Sequence, residues 1–251
     1  MKKKDKIRLD TLMVNKGVSP SRERAKKMIM AGIVLVDNVR IDKAGTLVDA
    51  LSKVTLKGED IPYVSRGGLK LEKALDAAGV DLTGLTALDI GASTGGFTDC
   101  LLQHGVSKVY SVDVGYGQFD WRLRQDERVV VMERTNIRHM PYERVGEKVD
   151  LVVIDTSFIS LKIVIPAAEK FMKKGTGVYA LIKPQFEAGR DRVEKGGVVK
   201  DENIVKTVID DIKVFCQKRG YDAESVIPSP VLGPKGNREY IISLKYMLEN
   251  D

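Results

Sequence analysis

Two rhythms of apolar residues run along this chain. In "IRLDTLMVNKG", Leu9, Leu12 and Met13 fall at i, i+3 and i+4, the stripe of a short helix, and Gly17 stops it. "SPSRERAKKMIMAG" repeats that period with Ala25, Met28 and Ile29 inward. Ser19 is its expected N-cap, Pro20 its first helical residue and Gly32 its stop. "IVLVDNVRID" then reads as two short strands turning at Asp37-Asn38. From about residue 65 the rhythm becomes an alternation. Helical "GGLKLEKALDAAG" precedes strand "TALDIG", helix "GFTDCLLQHG" and strand "KVYSVDVG". Strands "RVVVMERTNI" and "KVDLVVIDTSF", a helix near 160–172, strand "GVYALIKPQF" and a helix near 201–219 follow. Strands "DAESVIPSPV" and "NREYIISLKYM" close the series. Alternation of this kind predicts an α/β fold with a doubly wound, mostly parallel sheet. The charged segment "GRDRVEKGGVV" at 189–199 is expected to form a loop beside its site.

Composition sharpens the division. The chain has 251 residues and a net charge of +6. Residues 1–60 hold 14 Lys and Arg against 8 Asp and Glu, whereas the remainder is balanced. The whole excess sits in the first quarter, which suggests a polyanion-binding module joined to a neutral body. Cys100 and Cys216 lie far apart and fit no metal or redox spacing, so a reduced, cytoplasmic protein is expected. The start "MKKKDKIRLD" has a basic cluster with no apolar stretch behind it and is not expected to act as a secretory signal. No run of about 18 apolar residues is present, and no stable membrane association is expected.

The basic first quarter carries a recognisable order: Arg8-Leu9-Asp10, Ser21-Arg22, Ala25, Ile29, Gly32 and Val34-Leu35-Val36. That order resembles the S4 RNA-binding domain. Arg8, Arg22, Arg24, Lys26 and Lys27 could be a plain solvated helix face, but with the resemblance and the local charge excess they are expected to contact RNA phosphates.

The turn in "ALDIGASTGGFT" lies between the first strand of the second region and its helix, where open α/β sheets bind ligands. A phosphate-binding loop needs Lys-Ser/Thr after its last glycine, and Phe97-Thr98 stands there instead. The spacing Gly91, Gly95, Gly96 does not give the dinucleotide pattern either. S-adenosylmethionine (AdoMet) remains, since Asp89, Gly91 and Gly95 follow the acidic-x-Gly-x-Gly-x-Gly frame with Ser93 at the middle glycine. The absent Cβ atoms at Gly91 and Gly95 are expected to let the backbone approach the ligand. Asp113, at the end of the next strand, is placed to accept from ribose hydroxyls, as it would be in a nicotinamide enzyme.

Four charged residues fall near the same sheet edge. Asp155 and Lys183 end two strands, Lys70 opens the helix before the first strand, and Glu239 begins the last strand if that strand is antiparallel. Singly, each has a plain reading: solvated lysines, a helix cap at Asp155, an edge charge at Glu239. Together they suit attack by a ribose 2′-hydroxyl on a sulfonium-borne methyl, where an ammonium stabilises the developing alkoxide and alignment supplies much of the rate. No metal is required, and His104 and His139 stand alone.

"YVSRGGLKLEKAL", "DIGASTGGFTDCLL", "VDVGYGQ", "ERTNIR", "IDTSFISL", "LIKPQFE" and "GNREYIISL" together resemble the TlyA family, S4-bearing relatives of the FtsJ/RrmJ ribose methyltransferases. The resemblance implies AdoMet-dependent 2′-O-methylation of cytidines in ribosomal RNA, with free RNA or assembled ribosomal subunits as partner. Its Lys-Asp-Lys-Glu tetrad falls on Lys70, Asp155, Lys183 and Glu239. Its cofactor site falls on Asp89, Gly91, Ala92, Ser93, Thr94, Gly95, Gly96, Asp113, Val114, Thr135 and Asn136, and Arg66 joins the RNA-contacting set. It implies an S4-like α+β domain at 1–60, a linker at 61–65 and a Rossmann-like methyltransferase domain at 66–251. Haemolysin names in the family leave a membrane-active protein as a rival, and a non-catalytic RNA-binding adaptor is a second.

Overall fold

The computed structural model describes residues 5–56, 61–194 and 196–249. The basic cluster expected at 2–4, the close of the first domain at 57–60 and Lys195 of the 189–199 segment lie outside the described residues. The chain divides into two compact units, residues 1–62 and 63–251.

In the smaller unit, β1 (Lys6–Arg8) runs into α1 (Leu9–Asn15), followed by α2 (Arg22–Met30), β2 (Val34–Val36), β3 (Val39–Arg40), β4 (Leu47–Asp49) and β5 (Val54–Leu56). Strands β3, β2 and β5 form one antiparallel sheet, and β1 pairs with β4. The expected helical stripes make the core: Leu9, Leu12, Met13, Ala25, Met28 and Ile29 close on Val34, Val36 and Val48. Asp37 and Asn38 take φ of 49° and 67°, the left-handed pair that a two-residue hairpin needs. The cap of α2 is corrected by two residues, and Pro20 lies before the helix, which starts at Arg22. Ser21, not Ser19, accepts from the Arg24 amide at 3.2 Å, because Ser19 is buried and donates its hydroxyl to the Ser21 carbonyl.

In the larger unit the order is α3 (Gly67–Ala78), β6 (Thr86–Ile90), α4 (Gly96–Gln103), β7 (Lys108–Val112), α5 (Trp121–Arg124), β8 (Val129–Met132) and β9 (Val149–Ile154). Then come α6 (Leu161–Ala168), β10 (Met172–Ile182), α7 (Pro184–Glu187), α8 (Glu202–Lys218), β11 (Tyr221–Pro228) and β12 (Tyr240–Tyr246). They build one seven-stranded sheet, β11-β12-β10-β9-β6-β7-β8. The central strands are parallel, and β12 is antiparallel to both its neighbours. Parallel strands covered on both faces need unbroken apolar runs, and Leu151-Val152-Val153-Ile154 is one, wholly buried.

The chain proceeds from β6 through β7 to β8 on one side, then returns to place β9 on the other side of β6. That reversal opens a crevice at the carboxyl ends of β6 and β9. The division between the units falls inside the stretch expected as a linker. Tyr63 and Val64 are buried in the larger unit, with the Tyr63 hydroxyl on Glu72 at 2.7 Å and the Val64 amide on Asp99 at 2.7 Å.

Candidate active site

At the crevice, strand ends bring the four charged residues together. Ile182 pairs with Tyr240, so Glu239, just before antiparallel β12, lies beside Lys183, just after parallel β10. Asp155 follows the last residue of β9, and Lys70 projects from the first turn of α3. Lys183 Nζ sits 2.6 Å from Asp155 and 3.0 Å from Ser157 Oγ. Lys70 Nζ sits 2.6 Å from Glu239 and 3.7 Å from Asp155. Asp155 thus bridges two ammonium groups. The lysine side chains are only 10% and 7% exposed, and that of Asp155 is 20% exposed, which leaves the acid between them nearest solvent. Two positive and two negative charges buried together offset one another's desolvation, which none could bear alone. Lys183 uses two of its three N–H donors on Asp155 and Ser157, and the third is available to an incoming oxygen.

Glu239 is fully buried, and its Oε1 has no hydrogen-bond partner among the described residues. That oxygen lies over Gly233, where a Cβ would come within 2.1 Å of it. Gly233 was not singled out from the sequence; its role is visible only once the β11–β12 connection folds back on itself.

Beside the tetrad a cleft of about 560 Å³ opens over β6 and β7, a size suited to a nucleoside-containing ligand. Gly91, Ser93, Asp113, Val114, Thr135 and Asn136 line it, as the sequence suggested, and Asp155 and Ser157 form the end next to the tetrad. The apolar side chains of Ile90, Val112 and Ile137 supply a wall for a ring. Asp113 ties the glycine turn to the next loop, accepting from the Ser93 amide at 2.7 Å and the Gly115 amide at 2.6 Å. Oδ1 also accepts from the Gln118 amide group at 3.2 Å, so of two acceptor positions per oxygen one on Oδ2 is left for a ribose hydroxyl. These features fit the nucleoside end of AdoMet.

Five expected cofactor residues do not reach the cleft: Asp89, Ala92, Thr94, Gly95 and Gly96. Asp89 is fully buried beneath it and accepts from Thr98 at 2.7 Å, and burial pushes its carboxyl up to about 7. The Thr94 carbonyl accepts from the Asp120 amide, and Ala92 is buried in the turn. Three glycines of the turn also have protein atoms where a side chain would stand. A Cβ at Gly91, whose φ is +88°, would meet the Asp155 carbonyl at 2.7 Å; one at Gly95 would meet Leu123 at 2.4 Å. At Gly96 it would meet Ser65 Oγ at 2.2 Å.

Phe158 was also missed. It is 89% exposed beside the tetrad, holds φ of +64°, rare for an aromatic residue, and packs its ring 4.9 Å from Phe186. Arg66 is exposed and donates to the Leu232 carbonyl at 2.7 Å.

Comparison with known proteins is consistent with this geometry. Residues 63–246 match the FtsJ-like methyltransferase family and residues 7–50 match the S4 domain. The chain belongs to the TlyA family of S4-bearing, FtsJ-like methyltransferases. It is 46% identical to YqxC of Bacillus subtilis over 96% of this chain and 86% of that protein. It is 42% identical to the 16S/23S rRNA (cytidine-2′-O)-methyltransferase TlyA of Mycobacterium tuberculosis, over 96% of this chain and 90% of that one. A solved Streptococcus thermophilus structure bearing a hemolysin name aligns with a TM-score of 0.77 at 41% identity, covering 98% of this chain and 90% of that chain. Among the described residues of this TlyA-family chain, no helix is long and apolar enough to cross a membrane.

On the smaller unit, the expected RNA contacts separate into two kinds. Arg8 and Arg22 both reach Asp10, Arg8 through two bonds of 3.0 and 2.8 Å and Arg22 through one of 3.2 Å. Arg24 donates to the Ile61 carbonyl. Lys26 and Lys27 stand exposed on α2.

Proposed function

We propose that this enzyme transfers a methyl group from AdoMet to the 2′-oxygen of a cytidine ribose in ribosomal RNA, acting on RNA or on an assembled ribosomal subunit in the cytoplasm. The observation that carries the reading is the bridge of Asp155 between Lys70 and Lys183 at the mouth of a nucleoside-sized cleft. The relatives named for that activity on ribosomal RNA support the choice of substrate.

When bound, AdoMet supplies an electrophilic methyl carried on a sulfonium. Asp113 and Asn136 would hold its ribose end, and Ile90, Val112 and Ile137 its adenine. Lys183 donates its remaining N–H to the ribose 2′-oxygen and stabilises the negative charge that grows there as the hydroxyl proton passes to the Asp155 carboxylate, the member of the cluster nearest solvent, and on to water. Asp155 fixes that ammonium in direction, and the Lys70–Glu239 pair holds Asp155 from behind. The cluster's balanced charge keeps both lysines in a site that excludes bulk water, where such contacts are strongest. The exposed Phe158 ring offers a face on which an unstacked base can rest. On the smaller unit, Lys26 and Lys27, with the outer edges of Arg8 and Arg22, are the groups proposed to meet phosphate.

Incubation with methyl-labelled AdoMet and ribosomal particles from a methylation-deficient strain tests the reading. Label should map to a cytidine 2′-oxygen; label on a base atom, or none with AdoMet demonstrably bound, would refute it.

A further inference from the structure

Glu187, at the end of α7, is a half-buried acid that makes no ion pair among the described residues, feels only the more distant charge of Lys162, and is not used by the tetrad. Its carboxylate accepts from the Ser160 hydroxyl at 2.6 Å and from the Leu161 amide at 2.8 Å. Those two residues are the N-cap and first residue of α6, whose unpaired amides and dipole favour a negative charge. Burial nonetheless raises the Glu187 pKa above its ordinary value, so the position is costly to maintain. Helix α6 already has a cap: Ser160 Oγ accepts from the Lys162 amide at 3.1 Å. A second capping group, brought from another element, calls for an explanation beyond the helix itself.

The explanation lies in what the contact joins. The loop from Asp155 to Ser160 carries the central acid of the tetrad and Ser157, while the segment from Lys183 to Glu187 begins with the tetrad's second lysine. At one end the two are linked by Lys183 to Asp155 and Ser157. At the other they are linked by Glu187 to Ser160 and Leu161. Between the links, the Phe158 and Phe186 rings pack against each other. The two segments therefore form a closed frame with the reactive groups at one end.

We propose that Glu187 is a positioning residue: by joining the start of α6 to the segment after Lys183, it fixes the Asp155–Lys183 geometry and the stance of Phe158. The inference rests on the methyl-transfer reading above. Glu187→Ala removes the distal link and leaves every tetrad group in place. Glu187→Gln keeps an acceptor for the Leu161 amide and gives Ser160 Oγ a donor in place of an acceptor, since a hydroxyl serves as either.

The test is steady-state methyl transfer by the full chain with ribosomal RNA, together with amide hydrogen exchange on the same proteins. Glu187→Ala is expected to lower kcat on the order of tenfold, as small misplacements of reacting groups do. KM for AdoMet should change by less than about twofold, because this capping contact lies outside the cofactor cleft. Glu187→Gln should recover most of the lost rate. Exchange at residues 156–158 and 185–187 should quicken in the alanine variant, while β6 and β12 keep their protection. Wild-type kcat in Glu187→Ala, a loss that Gln fails to rescue, or unchanged exchange at 156–158 would each overturn the proposal. If the wild type itself moved no methyl group to RNA, the activity reading would fall, and the exchange comparison would still decide whether Glu187 joins the two segments.

Discussion

Both units of this chain hold an acid between two cations, and the two arrangements are built in opposite ways. In the smaller unit Asp10 is fully buried and its partners Arg8 and Arg22 are half-exposed. In the larger unit Lys70 and Lys183 are buried, and Asp155 is the more exposed member. Guanidinium groups are planar, carry several donors and keep their charge, so a pair of them grips one carboxylate in a fixed geometry. The Arg8 hydrogen bond above all, with Arg22 behind it, holds the Asp10 carboxyl well below the usual carboxylate range despite its burial. That arrangement rivets α1 to α2 and leaves the outer face of each arginine to solvent. Ammonium groups are compact and have rotatable donors, and inside a protein they respond to their neighbours. The same three charges therefore make a rivet with arginines outside and a reactive centre with lysines inside.

Making one substitution in both places breaks the comparison most sharply. Asp155→Asn should cut methyl transfer by roughly 10²-fold or more, since Lys183 loses the partner that aims it, and should also lower the unfolding midpoint of the larger unit, since two buried lysines lose a compensating charge. Asp10→Asn should act on stability alone, lowering the unfolding midpoint of the smaller unit by roughly 5 °C while AdoMet binding to the larger unit is untouched. Calorimetric scans and single-turnover assays on both variants separate the cases. The Asp10 contribution has a definite sign with pH. Because its folded pKa is depressed, the stabilisation is complete above about pH 4 and is lost as the pH falls through the folded value.

Gly233→Ala comes next in size. The new methyl would collide with Glu239 Oε1, so Lys70 should lose its 2.6 Å partner geometry and kcat should fall by about tenfold without loss of AdoMet affinity. Least disruptive is Asp89→Asn. Burial raises the Asp89 pKa to about 7, so in the wild type this group favours the folded state when protonated. Its contribution should diminish as pH rises from about 4 to about 7 and then level off. The asparagine variant should lack that dependence, read as a flatter plot of unfolding midpoint against pH.

Much of the site was legible because strand ends are legible. An apolar run that closes on Asp155 or Lys183 announces a charged residue at a sheet edge, and the antiparallel last strand brings Glu239 to that same edge. Ser157, Glu187 and Gly233 were not legible, since the first two act on residues from another element and the third on a residue across a folded connection, and neither period nor spacing records such pairings. The glycine turn taught a related lesson. The sequence indicates that side chains are excluded at Gly91 and Gly95, but only the folded chain identifies Asp155 and Leu123 as what excludes them. Asp89 fits the spacing of a ligand-binding acid, yet it points into the core towards Thr98. Ser19 and Ser21 are equally good caps on composition, and burial of Ser19 selects Ser21.

The central claim is that Lys183, aimed by Asp155, faces the oxygen that accepts the methyl group. Lys183→Ala, loaded with labelled AdoMet and mixed with ribosomal RNA under single-turnover conditions, tests it most directly. The account predicts AdoMet affinity within about twofold of the wild type and methyl transfer slower by roughly 10²-fold or more. Transfer at the wild-type rate would contradict it.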